Sequence, residues 1–326
     1  MTDQANGENS PRLLQQVKNA IQLRHYSIRT EQAYVRWIKN FIYFHGKKHP
    51  KDMGDEEITA YLSHMASVKN VSAATQNQAL NALVFLYRNV LDIEVGVFKE
   101  LVRAKPSKRI PVVLTHAEAV EVLSHIDGMT GIMARLLYGS GLRVMECVRL
   151  RIKDIDYKFK QITVRDGKGK KDRVTLLPES LIEPLKEAVE HAKNIHRFDL
   201  SEGFGEVYLP YALARKYKKA PVETGWQYLF PASKRANDPR SNKERRHHIS
   251  ETVLQRAVKA AVRKTNIVKP ATCHTFRHSF ATRLIEKGTD IRTVQELLGH
   301  ENVSTTEIYT HVLNINKRAV LSPVDE

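Results

Sequence analysis

The chain is poor in cysteine: Cys147 and Cys273 are the only two in 326 residues. Two thiols cannot staple a fold of this length, so a disulfide framework is excluded and a reducing, intracellular setting is expected. Long apolar runs are missing too. No window approaches the ~18 consecutive apolar residues of a membrane span, and the polar opening from Met1 to Pro11 lacks the apolar segment of a secretory signal. A soluble, cytoplasmic protein with no membrane partner is the expectation. The absence of internal repeats and low-complexity tracts argues against solenoids and disordered scaffolds. Acidic residues are outnumbered: 36 Asp+Glu face 52 Lys+Arg, leaving a net +16 and a pI near 9.7. Such a surplus points to a polyanion partner, with nucleic acid ahead of an acidic membrane surface.

What is present is an ordinary globular complement, 42% hydrophobic and 27% charged, in a chain long enough for two domains. After residues 1–10, expected to be flexible, apolar residues recur at helical spacing over 11–95, as in Tyr34, Trp37, Ile38, Phe41 and Ile42. The spacing predicts helices over 11–24, 30–45, 55–66 and 72–91. Residues 96–112 form a basic stretch with Lys105, Lys108 and Arg109, interrupted by Pro106 and Pro111. Such a run is often only a solvated face, but between two domains of a basic protein it is expected to link them and to contact a phosphate backbone.

The second domain is expected over 113–326. Thr115 and Glu118 have capping-box spacing and open a helix to 126. A second helix ends near Tyr138, and Gly139-Ser-Gly141 turns the chain before another begins at Leu142. Alternation of Ile162 with Val164, and of Val174 with Leu176, predicts a β-hairpin over 161–177 around a basic tip. A helix over 179–191 precedes an insertion at about 196–227 with one short helix over 208–217. Helices follow over 250–264, 275–287, 290–298 and 305–312. The fold class is mainly α with a small antiparallel β-sheet.

Cys273-His274-Thr-Phe-Arg277-His278 opens a helix, and a spacing of three puts His274 and Arg277 on one face, able to address a single oxyanion. His274 and His278 also have the i, i+4 spacing of metal ligands, yet no zincin-type Glu and no evident further ligand accompany them, so no metal is expected. A lone Tyr309 would more often be core. The words change meaning together. Arg143 stands in Tyr138-Gly-Ser-Gly-Leu-Arg-Val-Met-Glu146, Lys168 in the hairpin tip, His274 and Arg277 in H-x-x-R, His300 in Leu-Gly-His, and Tyr309 in Tyr-Thr-His. Six words in this order over 167 residues resemble the tyrosine recombinase (phage integrase) family across both domains. The resemblance implies a helical N-terminal core-binding (SAM-like) domain plus an α+β catalytic domain, and a site-specific DNA recombinase.

The residue types suit that chemistry. A tyrosine hydroxyl can hold the phosphoryl group covalently, so strand breakage needs neither ATP nor another cofactor. Planar guanidinium forks match two nonbridging phosphate oxygens, the part given to Arg143 and Arg277. A lysine near DNA can protonate the leaving 5′ oxygen: by resemblance Lys168, with Lys170 and Lys171 as rivals. The resemblance further implies His274 as acceptor of the Tyr309 proton and His300 as donor to a nonbridging oxygen. Glu146, one turn beyond Arg143, is expected to orient Arg143 or His274.

The long stretch between Lys168 and His274 is most similar to the integron integrases, whose added helix and hairpin recognise bases extruded from folded single-stranded attC hairpins. That resemblance implies that Pro239 and His248, with His247 beside them, pack on a flipped base and that Trp226 stacks on another, contacts typical of unpaired nucleotides. Where some relatives carry an aromatic before the hairpin lysine, this chain has Arg165. The implied partners are attC hairpins, attI duplex and three further copies of the chain in a tetramer on DNA. Competing readings are a duplex-site recombinase or phage integrase, a DNA-binding regulator without turnover, and a type IB topoisomerase.

Overall fold

The computed structural model describes residues 12–96, 98, 101–105, 111–165, 172–239, 241–309 and 324. Lys108, Arg109, Lys168, Lys170 and Lys171 lie outside the described residues, as do residues 1–10 and the end of the helix expected to reach 312. The chain divides into two compact units, 1–109 and 110–326.

The first unit is helical: α1 Leu13–Leu23, α2 Ile28–Phe44, α3 Asp55–Ser67 and α4 Ala73–Leu86, the last continued by a π-helical turn over Tyr87–Leu91. Ser27 and Ser72 cap α2 and α4 by accepting from Thr30 N and Thr75 N, satisfying donors that a helix start leaves orphaned. The stripe seen in the sequence is the core: Trp37, Ile38 and Phe41 pack with Ile58, Leu62, Leu83 and Leu86. Part of the expected linker is fastened down. Buried Gln76 donates to Leu62 O at 2.9 Å and Val102 O at 2.7 Å and accepts from Ala104 N at 2.9 Å. Residues 101–104 therefore lie against this unit, and Lys105 follows them, exposed.

The second unit begins with α5 His116–Ser124, α6 Gly128–Gly139 and α7 Val144–Val148. The Thr115–Glu118 capping box forms, at 2.7 and 3.2 Å. A three-stranded antiparallel sheet has the order β1 Ile155–Asp156, β2 Gln161–Val164, β3 Arg173–Leu176, with Val164 opposite Arg173. In β3 the inward residues are Arg173 and Thr175, not the alternating Val174 and Leu176, which are 47% and 44% exposed on the outer strand of this sheet. Then come α8 Ile182–Ser201, α9 Tyr211–Lys216, the hairpin β4 Ala236–Asn237 with β5 Glu244–Arg245, and α10 Glu251–Val262, α11 Cys273–Glu286, α12 Ile291–Leu298 and α13 Ser304–Glu307. Helix α8 outruns its expected end at 191 because its buried face continues through Ala192, His196 and Asp199. Helix α11 is central: Phe276 joins the main core with Leu136 and Leu137 of α6, while Phe280 and Ile285 join a smaller cluster with Val294 and Leu298 of α12.

Candidate active site

The turn between α6 and α7 sets the first part of the site. Gly141 has φ +64°, and a Cβ there would stand 2.4 Å from the Phe280 ring, so the chain passes over α11 only as glycine. Arg143 caps α7: its backbone N–H donates to Glu146 Oε2 at 2.8 Å and its guanidinium to Oε1 at 2.7 Å. From α11, the buried Arg277 donates to Gly141 O and, at 2.6 Å, to Leu298 O, the last carbonyl of α12. Gly299, φ +63°, ends that helix and delivers His300. His300 Nε2 lies 3.3 Å from an Arg277 nitrogen, which can only donate, so Nε2 accepts and Nδ1–H donates to Thr306 Oγ1 at 2.9 Å. The Tyr309 ring is buried in the small α11–α12 cluster, parallel to His300 at 6.4 Å, with its hydroxyl 2.8 Å from His278 Nδ1.

Glu146 is the electrostatic hub. Besides Arg143, it accepts a two-pronged pair from Arg173 at 2.9 and 2.6 Å, and Arg277 stands 3.7 Å away. Burial alone would raise its pKa; the hydrogen bonds and charge of Arg173 outweigh burial and hold the carboxyl down at about 2. Burial, then the charges of Arg277 and Arg143, push His300 down to about 3, which keeps the ring neutral. Burial, then His274 and Arg277, lower His278 to about 4. Burial raises the Tyr309 phenol, with Arg277 and Arg143 pulling the other way. Three arginines around one carboxylate leave a net +2, a charge suited to an oxyanion that gains negative charge as it reacts.

Most candidate residues converge here. Arg143, Arg277, His300 and Tyr309 are linked through Glu146 and direct contacts, and His274 joins with its ring 6.3 Å from that of His278. One expectation changes and another narrows. The partner of the Tyr309 hydroxyl is His278, one turn along α11 from His274, because the tyrosine approaches the C-terminal side of that face. Glu146 orients Arg143 and Arg173, with no hydrogen bond described to His274. Sequence reasoning missed Arg173 and weighed His278 only as a metal ligand. Arg173 opens β3 opposite Val164; its Nε donates to Leu297 O at 2.9 Å, and a Cβ on Gly299 would come within 2.7 Å of its stem. Among the described residues no three His, Cys, Asp or Glu side chains converge to hold a metal ion.

The residues expected to meet bases lie around the insertion. Trp226 is half-buried in a satellite core with Val207, Leu209 and Tyr228, and Lys153 Nζ stands 2.7 Å above its ring. One face is thus engaged by a cation within the chain. His247, exposed, and His248, half-buried, stand ring to ring at 4.2 Å beside Tyr228, and Pro239 is exposed in the turn between β4 and β5. Arg165 is not free to replace an aromatic platform: it pairs with buried Asp154 at 2.7 Å and with Asp172 at 3.6 Å.

The model of the phage integrase family matches residues 112–315, and that of the phage integrase N-terminal SAM-like domain matches residues 13–97. The chain belongs to the phage integrase family. It is a tyrosine recombinase, an enzyme of site-specific DNA recombination. This recombinase is 48% identical to an "Integrase/recombinase" of Escherichia coli over 316 residues, covering 97% of this chain and 94% of that one. It is 35% identical over 242 residues to "Tyrosine recombinase XerA" of Thermococcus onnurineus (strain NA1), covering 72% and 71%. Its fold matches XerH site-specific recombinase bound to palindromic difH substrate, with a TM-score of 0.60 at 20% identity over 94% and 84% of the two chains. A lambda integrase dimer bound to a core site gives 0.60 at 18% identity over 95% and 96%. Among the described residues no helix is long and apolar enough to cross a membrane.

Proposed function

We propose that this recombinase cuts and rejoins DNA strands through a 3′-phosphotyrosine on Tyr309, and that it is an integron integrase moving gene cassettes between folded attC hairpins and attI duplex, as a tetramer on DNA in the bacterial cytoplasm. The observation that supports the chemistry best is the convergence of a phenol, two histidines and a cluster of arginines with net positive charge. In this reading Arg143, the most exposed of the three guanidiniums at 22%, meets the phosphate first. Arg277, tied to two carbonyls, supplies a fixed charge from beneath. A nonbridging oxygen beside Arg277 would offset the charge that, after burial, keeps His300 neutral and draw a proton onto Nε2, making the ring the donor the family implies. Lys168 protonates the leaving 5′ oxygen. Removing one such preorganised donor costs roughly 10²–10³ in rate.

The integron assignment is supported by the insertion: half-buried Trp226 on the satellite core, exposed His247 stacked on buried Tyr228 with His248 edge-on beside them, and the exposed turn carrying Pro239 offer flat groups suited to extruded bases. Lys105, Lys108, Arg109, Lys170 and Lys171 add phosphate contacts. A duplex-site recombinase is the second reading, and it is compatible with the relatives' names.

The decisive experiment offers a nicked hairpin and the same sequence as nicked duplex. The expected result is a covalent adduct mapped to Tyr309 and lost in Tyr309→Phe, with DNA binding retained, and strand exchange on the hairpin in preference to duplex. An adduct in Tyr309→Phe refutes the chemistry. Equal exchange on both substrates refutes the integron assignment alone.

A further inference from the structure

His278 is a half-buried imidazole to which neither the six-residue pattern nor the proposed mechanism gives a task. Its Nδ1 stands 2.8 Å from the Tyr309 hydroxyl, within the range needed for direct proton transfer. The rings are 5.6 Å apart at 48°, so the contact runs edge to hydroxyl. His274, the residue the family resemblance nominates for this proton, is exposed; its ring stands 6.3 Å from that of His278, and no contact between it and Tyr309 is found among the described residues.

We infer that His278 is a catalytic residue: its Nδ1 takes the proton of the Tyr309 hydroxyl as the phosphotyrosine bond forms, an inference that rests on Tyr309 being the nucleophile. The step balances. The Tyr309 O–H bond breaks and its proton forms Nδ1–H of an imidazolium; the phenolic oxygen bonds phosphorus; the bond from phosphorus to the 5′ oxygen breaks, and that oxygen takes a proton from Lys168. On religation the 5′ hydroxyl returns its proton to Lys168 and its oxygen bonds phosphorus, while the phenolate leaves and recovers the proton from Nδ1. The groups facing His278 are His274 and Arg277 on its own helix and Tyr309 and His300 across from it. Burial and the positive charge of Arg277 favour the neutral ring, so at neutral pH Nδ1 has a lone pair to offer. The same arginine, with Arg143, stabilises the phenolate that the transfer creates.

The test uses the full chain with a nicked hairpin substrate at neutral pH and compares the parent, His278→Asn and Tyr309→Phe, each with measured DNA affinity. Asn keeps a hydrogen-bonding oxygen near the hydroxyl but accepts no proton. His278→Asn is expected to bind DNA as the parent does and to form adduct about 10²-fold more slowly or worse. Placing a fluorinated, more acidic tyrosine at 309 is expected to accelerate His278→Asn far more than the parent, a response that a merely structural histidine would not produce. Adduct formation at the parental rate in His278→Asn, or an equal effect of fluorination in both proteins, overturns the inference while leaving Tyr309 as nucleophile. A faster His278→Asn also overturns it and makes the bond a latch on the tyrosine. No adduct in the parent, or an adduct in Tyr309→Phe, brings down the function and this inference together.

Discussion

Replacing Glu146 with Gln removes the carboxylate that, among the described residues, joins three guanidiniums, and the structure sets the size of the effect. Glu146 accepts four hydrogen bonds, from Arg143 N and its guanidinium and from two nitrogens of Arg173, with Arg277 3.7 Å away. Arg173 and Arg277 have side chains only 9% and 4% exposed. A glutamine keeps one acceptor oxygen and turns an N–H₂ toward cations that can only donate. Buried arginines would be left without a counter-charge, which costs about 3–5 kcal/mol. An independent route agrees. A carboxyl held at about 2 against an ordinary 4.5 contributes about 3 kcal/mol of stability, at about 1.4 kcal/mol per pKa unit. Because the folded value is depressed, that contribution is complete above pH 4.5 and is lost as pH falls toward 2.

The two tryptophans make the assay clean, since Trp37 belongs to the first unit and Trp226 to the second. With Trp37→Phe as background, urea unfolding followed by Trp226 fluorescence reports the second unit. Glu146→Gln is expected to lose about 3–5 kcal/mol at neutral pH, and its curve is expected to shed the acid dependence that this group gives the parent between pH 4.5 and 2. A neutral-pH loss below about 0.5 kcal/mol, the range of ordinary surface substitutions, would refute the hub.

Three further outcomes follow from the same geometry. Arg173→Lys keeps the charge but gives up the fork onto Glu146 and the bond to Leu297 O; a loss of about 2–3 kcal/mol by urea unfolding is expected, with slower adduct formation at unchanged DNA affinity. Gly141→Ala forces a left-handed alanine into the Phe280 ring, and calorimetry should show a fall in Tm of at least about 3 °C, from a backbone cost of about 1–2 kcal/mol. Gly46→Ala, with φ +62° and open space, should cost less. Asp199→Asn disconnects Arg235 and Arg246 from the end of α8 and loosens the β4–β5 hairpin; exchange on a folded hairpin should fall, while cleavage of duplex persists, in paired recombination assays.

The helical stripes were legible because burial follows periodicity: Trp37, Ile38 and Phe41 read as one face and pack as one. The words around Arg143, His274 and His300 were legible because each ends or begins an element, where a glycine or cap stands whatever the packing. Strand β3 was legible as a strand but its facing was not, since its apolar residues point outward on the edge of a sheet, and Arg173, which would ordinarily mark a solvent face, is buried against Glu146. Polarity patterns misjudge a charge whose counter-ion lies 27 residues away. The hairpin β4–β5 escaped notice for a different reason: two-residue strands carry no alternation, and their anchors, Arg235 and Arg246 on Asp199, are again long-range ion pairs. His278 was visible as a residue and invisible as a partner, because helix spacing puts His274 and His278 on one face without saying which of them a tyrosine 31 residues onward will meet.

A carboxylate at the centre of a phosphate site looks counterproductive until charge and geometry are separated. Three unpaired guanidiniums packed this tightly would repel one another, and the burial of Arg277 already makes its charge costly, with Arg143 and Arg173 adding to the cost and Glu146 relieving it. Side chains under that repulsion would splay toward solvent, and each would then have to be reoriented as the phosphate transition state formed. One carboxylate with two oxygens takes Arg173 on both and Arg143 on one, which fixes the guanidinium planes before DNA arrives. It neutralises one charge of three, so the remaining field still favours a phosphodiester whose charge grows from minus one toward minus two in the transition state. Preorganisation of this kind lowers the barrier because the reorganisation is done during folding. Glu146 therefore acts on the reaction without touching it, and its loss should be felt in the folding equilibrium and in the rate of adduct formation together.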